Sequence, residues 1–217
     1  MSQFDLIVFD WDGTIMDSTP AIVASIQDAA RDLGLQVPDD SLASHVIGLG
    51  LRDALSHALP DLVPEDYPQL AQRYRVHYLA RDGQLDLFDG VRDLLESLRD
   101  RGHRLAVATG KSRVGLDRAL KASGLEPLFD ATRCADETFS KPHPQMLLDL
   151  MDRLLAEPGR TLMIGDTTHD TQMAANAGTR AVAVTYGAHP RADLVPAMPH
   201  AVVDSVAELR QWLNRHA

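Results

Sequence analysis

Cysteine is almost absent: Cys134 is the only one in 217 residues. No intrachain disulfide can form, which fits a reducing compartment, and Cys134 itself reads as a small apolar core residue. Long apolar runs are also missing. None approaches the length needed to span a bilayer, and the opening Met-Ser-Gln-Phe-Asp has no basic segment, so neither a membrane helix nor a signal peptide is expected and a cytoplasmic location is. Clusters of Lys and Arg are lacking as well. Basic residues number 21 against 31 acidic ones, a formal net charge of −10, which argues against nucleic acid and anionic membrane surfaces as partners. There is no internal repeat and no low-complexity tract. What remains, 45% hydrophobic and 24% charged residues, is the composition of an ordinary globular protein with room for one core and a modest insertion.

Hydrophobic periodicity divides the chain into two kinds of segment. Outside residues 17–86, strand-like and helix-like stretches alternate. Val91, Leu94, Leu95 and Leu98 fall at helical spacing and Gly102 stops that helix. A buried strand follows up to Thr109, then a helix over about 113–123, a short strand near 129–134, and a helix opening at Pro144 with Met146, Leu147, Leu150, Met151 and Leu154 on one face. Thr161–Gly165 reads as another strand, 170–177 as a helix closed by Gly178, 180–185 as the last core strand and 204–215 as a terminal helix. Strands joined by helical crossovers predict an α/β fold, a Rossmann-like parallel sheet with helices on both faces. Residues 17–86 break the alternation. Their helical pattern (21–33, 51–59 and 68–79), punctuated by Pro38, Pro60, Pro64 and Pro68, predicts a small all-helical domain inserted after the first strand, whose junctions flank the site and act as hinges. The domain boundaries expected are therefore 1–16 with 87–217, and 17–86.

In a parallel sheet ligands bind beyond the carboxyl ends of the strands, and four segments deliver polar groups there. Residues 6–14 (Leu-Ile-Val-Phe-Asp-Trp-Asp-Gly-Thr) carry Asp10 and Asp12 from a strand onto a glycine turn. An EF-hand loop does not fit, because Gly13 follows Asp12 directly. Ala108-Thr109-Gly110-Lys111 ends a strand with a hydroxyl and accessible backbone N–H groups suited to phosphate oxygens. Lys141, set before Pro142, projects from an extended segment at the mouth of a helix. Ile164-Gly165-Asp166 repeats the strand–glycine–acid pattern, with Asp170 four residues further where the next helix begins. Taken singly, each has an ordinary structural explanation: a turn aspartate, a loop lysine, a helix-start acid. Together, Asp10, Asp12, Asp166, Asp170 and Lys141 sum to −3, which repels a phosphomonoester dianion unless a divalent cation such as Mg²⁺ is present.

This set, in this order, resembles the haloacid dehalogenase superfamily of phosphohydrolases, and within it the phosphoglycolate phosphatase group. The resemblance spans essentially the whole chain, the helical insertion corresponding to a cap. Trp11 and Gly110 are local variations on the family pattern, which usually has a bulky apolar residue at the first position and frequently Asn at the second, and Gly110 forfeits a side-chain donor. The resemblance implies that Asp10 is the nucleophile and Asp12 the general acid–base, that Thr109, the Gly110 backbone and Lys141 hold the phosphoryl oxygens, and that Mg²⁺ binds at Asp10, the Asp12 carbonyl and Asp166, with Asp170 orienting Lys141 or a metal-bound water. The substrate implied is a small phosphorylated metabolite. Arg52, beside Gly48 and Gly50 in the insertion, offers a guanidinium to a substrate anion, or is simply a surface residue; His169, between two acids, either touches substrate or, as the preferred reading, lines a surface loop. Other readings stand beside this one: a phosphosugar mutase of the β-phosphoglucomutase type, a non-hydrolytic phospho-accepting signalling module, an inactive binding protein, and a haloacid dehalogenase, against which Asp12 argues. Oligomeric state is not legible from one chain.

Overall fold

A computed structural model describes residues 3–217. In chain order the elements are β1 (Leu6–Phe9), α1 (Thr19–Asp32), α2 (Asp40–His45), α3 (Leu51–Ala58), α4 (Tyr67–Asp82), α5 (Val91–Asp100), β2 (Arg104–Thr109), α6 (Arg113–Ser123), β3 (Ala131–Cys134), α7 (Gln145–Arg153), β4 (Thr161–Gly165), α8 (Thr168–Asn176), β5 (Arg180–Val184), α9 (Arg191–Leu194), β6 (Ala201–Val203) and α10 (Val206–His216). The six strands form one parallel sheet in the order β3-β2-β1-β4-β5-β6.

The period of two along each strand sorts its side chains to two apolar layers. Ile7, Phe9, Leu105, Val107 and Ile164 face one cluster with Leu94, Leu95 and Leu98 of α5 and Leu213 of α10. Leu6, Val8, Ala106, Ala108 and Met163 face the other, with Met146, Leu147 and Leu150 of α7 and Met173 of α8. Both faces of β1 are buried, as expected of a strand lying between two parallel neighbours. Register then decides where the chemistry lies. Phe9 pairs with Val107 on one side and Ile164 on the other, so Asp10, Thr109 and Asp166 emerge together at the carboxyl edge.

The helices of the insertion, α1 to α4, pack round a third apolar cluster of their own that includes Ile26, Ala30, Leu55, Leu70 and Tyr78. The two chain segments leading in and out of it run side by side: the Asp17 N–H donates to the Asp86 carbonyl (3.0 Å) and the Phe88 N–H to that of Ile15 (3.1 Å).

Four details differ from the sequence expectations. The strand at 180–184 is not the last of the sheet, because β6 adds a sixth, edge strand whose three residues are too few for any periodicity to register. A six-residue helix, α2, appears where only proline punctuation was read; Asp39 caps it by accepting from the Leu42 N–H at 2.8 Å. Pro144 caps α7 rather than opening it, and α8 begins at Thr168, ahead of Asp170. Among the described residues no helix is long and apolar enough to cross a membrane.

Candidate active site

Three acids converge at the carboxyl edge of the sheet. Asp10, Asp166 and Asp170 are all buried, and each places a carboxylate oxygen within 4.8 Å of the other two. Gly13 makes this possible: with φ at +77° it turns the chain in the left-handed region, and a Cβ there would lie 2.1 Å from Asp166 Oδ2. Asp166 is held by the Thr14 hydroxyl (2.8 Å to Oδ1) and the Ala188 N–H (2.7 Å to Oδ2). Asp170 is the third residue of a capping box: Oδ2 accepts from the Thr167 hydroxyl at 2.7 Å and the Thr167 N–H at 3.1 Å, which leaves Oδ1 directed at the cluster.

Lys141 is the counter-ion. Its fully buried Nζ lies 2.9 Å from Asp10 Oδ1 and 2.7 Å from Asp170 Oδ1. Burial disfavours its charge, but those two carboxylates hold the ammonium above its ordinary range. One lysine does not neutralise three acids. Burial, with the charges of Asp170 and Asp166, pushes Asp10 well above the usual carboxylate range in spite of Lys141, and burial with Asp170 raises Asp166 to about 7. Asp10 Oδ1 also accepts from the Trp11 N–H at 2.6 Å. Its second oxygen, Oδ2, is buried and accepts no hydrogen bond from any described residue.

Asp12 is different. Its carboxylate lies outside the acid cluster and accepts from the Ser18 hydroxyl (2.7 Å) and from Lys111 Nζ (2.9 Å). Thr109 is fully buried at the end of β2, its hydroxyl accepting from the Lys111 N–H at 3.2 Å. Gly110 lies directly beneath the loop between α2 and α3, where a Cβ would sit 2.4 Å from the Leu49 carbonyl oxygen; no larger residue fits there with the loop in this position. Gly48 of that loop is close to Asp10 as well, and the Gly50 N–H donates to Ser140 Oγ at 2.8 Å.

The structure thus brings together Asp10, Asp12, Thr109, Gly110, Lys141, Asp166 and Asp170. Arg52 is exposed on α3, its guanidinium over the Tyr67 ring at 5.2 Å, and lines the cavity between the helical insertion and the sheet edge rather than touching the acids. His169 does not belong to a surface loop: it sits on α8, where its ring nitrogen donates to the His45 carbonyl at 2.9 Å. Sequence reasoning does not single out Lys111, although it directly follows Thr109 and Gly110. Counting it, the acids and lysines of the site sum to −2 rather than −3. Nor does sequence reasoning single out Tyr78, whose hydroxyl accepts from Lys111 Nζ at 2.8 Å; nothing in the spacing of α4 marks it. Cys134 is buried and its thiol is pushed up to about 12 by burial, in keeping with an inert core residue.

The profile of the haloacid dehalogenase-like hydrolases matches residues 7–184. IndB of Dickeya dadantii, described as a probable phosphatase, is 38% identical over 210 residues, covering 94% of this chain and 91% of IndB. The tyrosine-protein kinase PtkA of Mycobacterium tuberculosis is 35% identical over 96% of this chain and 72% of its own. A phosphoglycolate phosphatase of Synechococcus elongatus is 32% identical over 96% and 97%. A crystal structure from Haemophilus somnus, described as a predicted phosphoglycolate phosphatase, superposes with a TM-score of 0.86 at 28% identity, covering 97% of this chain and 98% of that one.

Proposed function

Because this chain belongs to the haloacid dehalogenase-like hydrolases and is a phosphatase of that family, we propose that it hydrolyses a small phosphomonoester through a phosphoryl group carried on Asp10. The observation that carries this reading is the free Oδ2 of Asp10: one oxygen is tied to Trp11 and Lys141 while the other is buried, has no hydrogen-bond partner among the described residues and lies towards the loop at Gly48. Attack by that oxygen on phosphorus breaks the P–O bond to the leaving group, and water then cleaves the acyl phosphate. Asp12 protonates the departing alkoxide and later takes the proton of the attacking water, a role worth roughly 10²–10⁴-fold. Lys141, the Thr109 hydroxyl and the Gly110 N–H hold the phosphoryl oxygens, where loss of one donor typically costs about 10²–10³ in rate.

The donor set fits a hard divalent cation. Three buried carboxylates share one lysine, and a dication offsets the burial and the mutual repulsion that raise Asp10 and Asp166. Mg²⁺ would be held by Asp10, Asp166 and the main-chain carbonyl of Asp12, with Asp170 beside it orienting Lys141. Bound there, it supplies positive charge to carboxylate and phosphate oxygens together. Residues 17–86 serve as a cap on the core of 1–16 and 87–217, with the paired junction strands as hinges. Arg52 meets the remainder of the substrate, and a phosphoglycolate-like metabolite of the cytoplasm is the family-level reading.

The test is phosphate release from p-nitrophenyl phosphate. Release that requires Mg²⁺, stops with EDTA and is lost in Asp10→Asn supports the reading. Release indifferent to chelation, or surviving in Asp10→Asn, overturns it. Turnover of a sugar phosphate without free phosphate would mark a mutase instead, and a stable phosphorylated Asp10 without turnover a signalling module.

A further inference from the structure

The cavity between the cap helices and the sheet edge has a volume of about 780 Å³. Pockets of roughly 300–1,000 Å³ take drug-sized ligands, and a two-carbon acid fills only a small part of such a space. The walls are mainly apolar: Ile22 and Ile26 of α1, Leu55 of α3, and Tyr74 and Tyr78 of α4. The mouth carries apolar groups as well as charged ones. Leu79, Val114 and Phe139 line it while remaining 51%, 74% and 61% exposed, alternating there with the exposed Arg52, Arg75 and Arg118, and solvent-facing apolar groups of this kind mark a surface that is covered when occupied.

Asp12 lines this cavity, which Asp10, Asp166 and Asp170 do not, and beside Asp12 stands Lys111. The Lys111 side chain is 9% exposed. An ammonium offers three N–H donors. One is directed at Asp12 Oδ1 (2.9 Å) and one at the Tyr78 hydroxyl (2.8 Å), and the third has no partner among the described residues. The Tyr78 ring lies 4.6 Å from Nζ and helps to fix it. Since Asp12 must touch the leaving oxygen, Lys111 stands within a few bonds of that oxygen on the substrate.

We propose that the leaving group of this enzyme is a large, mainly apolar one that also bears a carboxylate close to the ester oxygen: a 2-phosphonooxy acid with a bulky side chain, its carboxylate on Lys111 and its apolar body in the cap cavity. The proposal rests on the phosphatase reading and narrows its substrate class. The two halves come from different observations, the cavity for the apolar body and the spare donor of Lys111 for the anion.

Three compounds separate them when assayed with the full chain and Mg²⁺: phosphoglycolate; 2-phosphonooxy-3-phenylpropanoate, which adds the apolar body; and 1-phenylpropan-2-yl phosphate, which keeps the body and replaces the carboxylate with a methyl group. The phenylpropanoate is expected to exceed phosphoglycolate in kcat/KM by about tenfold or more, and the carboxylate-free compound to lose about tenfold or more relative to it. Lys111→Met should shrink that carboxylate preference to within about threefold, whereas Lys111→Arg, which keeps the charge, should retain most of it. Phosphoglycolate equal to or better than the phenylpropanoate, or a carboxylate preference undiminished in Lys111→Met, overturns the proposal. If p-nitrophenyl phosphate and all three compounds yield no phosphate, the phosphatase reading itself fails.

Discussion

The floor and the roof of the site are built on different principles. The floor is the carboxyl edge of β1, β2 and β4, where strand register sets each side chain against its neighbour and Asp10, Thr109, Lys141 and Asp166 are almost wholly buried. The roof is the loop 48–50 with α1, α3 and α4, packed round an apolar cluster of its own. What joins roof to floor is a set of polar contacts: the Gly50 N–H on Ser140, Lys111 on Tyr78, the Ser44 hydroxyl on the Ala188 carbonyl (2.7 Å), and the His169 and His189 rings on the His45 carbonyl (2.9 and 3.0 Å). Each such hydrogen bond contributes about 0.5–1.5 kcal/mol, and the apolar contacts beside them are few, chiefly Ala188 and Leu85 against the cap cluster. On the proposed function, the chemistry is set at the sheet edge, while closure and substrate choice fall to an assembly that meets it largely through hydrogen bonds.

Substitutions in the floor should have the larger effects. Asp10→Asn is expected to lower phosphate release by about 10⁴-fold or more, as loss of a nucleophile does; residual activity within about tenfold of the parent would place the nucleophile elsewhere. Lys141→Met leaves three buried acids without their counter-ion and should cost about 3–5 kcal/mol in urea unfolding without Mg²⁺ near neutral pH. That deficit should shrink near pH 5, where the acids take up protons; an unchanged deficit would mean that Lys141 supports the fold by packing alone.

The acids also set a pH dependence. Asp166 is raised to about 7 in the folded chain, so between the ordinary carboxylate range and pH 7 the folded state binds more protons than the unfolded one. Its contribution to stability is therefore present at low pH and is lost as pH rises through 7. A bound dication reverses this by favouring the ionised acids. The rise in melting temperature on adding Mg²⁺ should accordingly be larger at pH 8 than at pH 5, and an equal or larger rise at pH 5 would contradict the clustering of these carboxylates round one cation.

Changes at the roof sharpen the contrast. Gly110→Ala puts a Cβ 2.4 Å from the Leu49 carbonyl, forcing the loop off the floor while the strand ends stay in place. We expect kcat/KM to fall by about tenfold with little change in urea stability. A comparable loss of stability would show that roof and floor fold as one unit. Tyr78→Phe removes one hydrogen bond to Lys111 and should have the smallest effect, a few-fold change in KM, in line with the ~0.5–1.5 kcal/mol net contribution of such a bond.

The floor was legible in the sequence for a physical reason. A strand buried on both faces is an almost unbroken apolar run, so a polar residue at its end stands out; Asp10, Thr109 and Asp166 each follow such a run, and parallel pairing brings strand ends together. Short motifs then carried the assignment of Asp12, Lys141 and Asp170. The roof offered no such rule. Its helices could be placed by apolar periodicity, but Tyr78, Gly48 and Leu49 meet the floor only through the tertiary path of the insertion, and no local spacing encodes that path. Lys111 fell between the two cases: it stands in a quoted motif, yet its pairing with Asp12 depends on the bend at Gly13 and on a tyrosine more than thirty residues upstream. The edge strand β6 and the short helix α2 escaped because three and six residues carry too little periodicity.

The most direct test is a crystal structure of the protein with Mg²⁺ and beryllofluoride, which mimics a phosphorylated carboxylate. The account predicts one adduct, on Asp10, with a single cation contacting both Asp10 and Asp166. An adduct on another residue, or a cation bound away from that pair of acids, would contradict it.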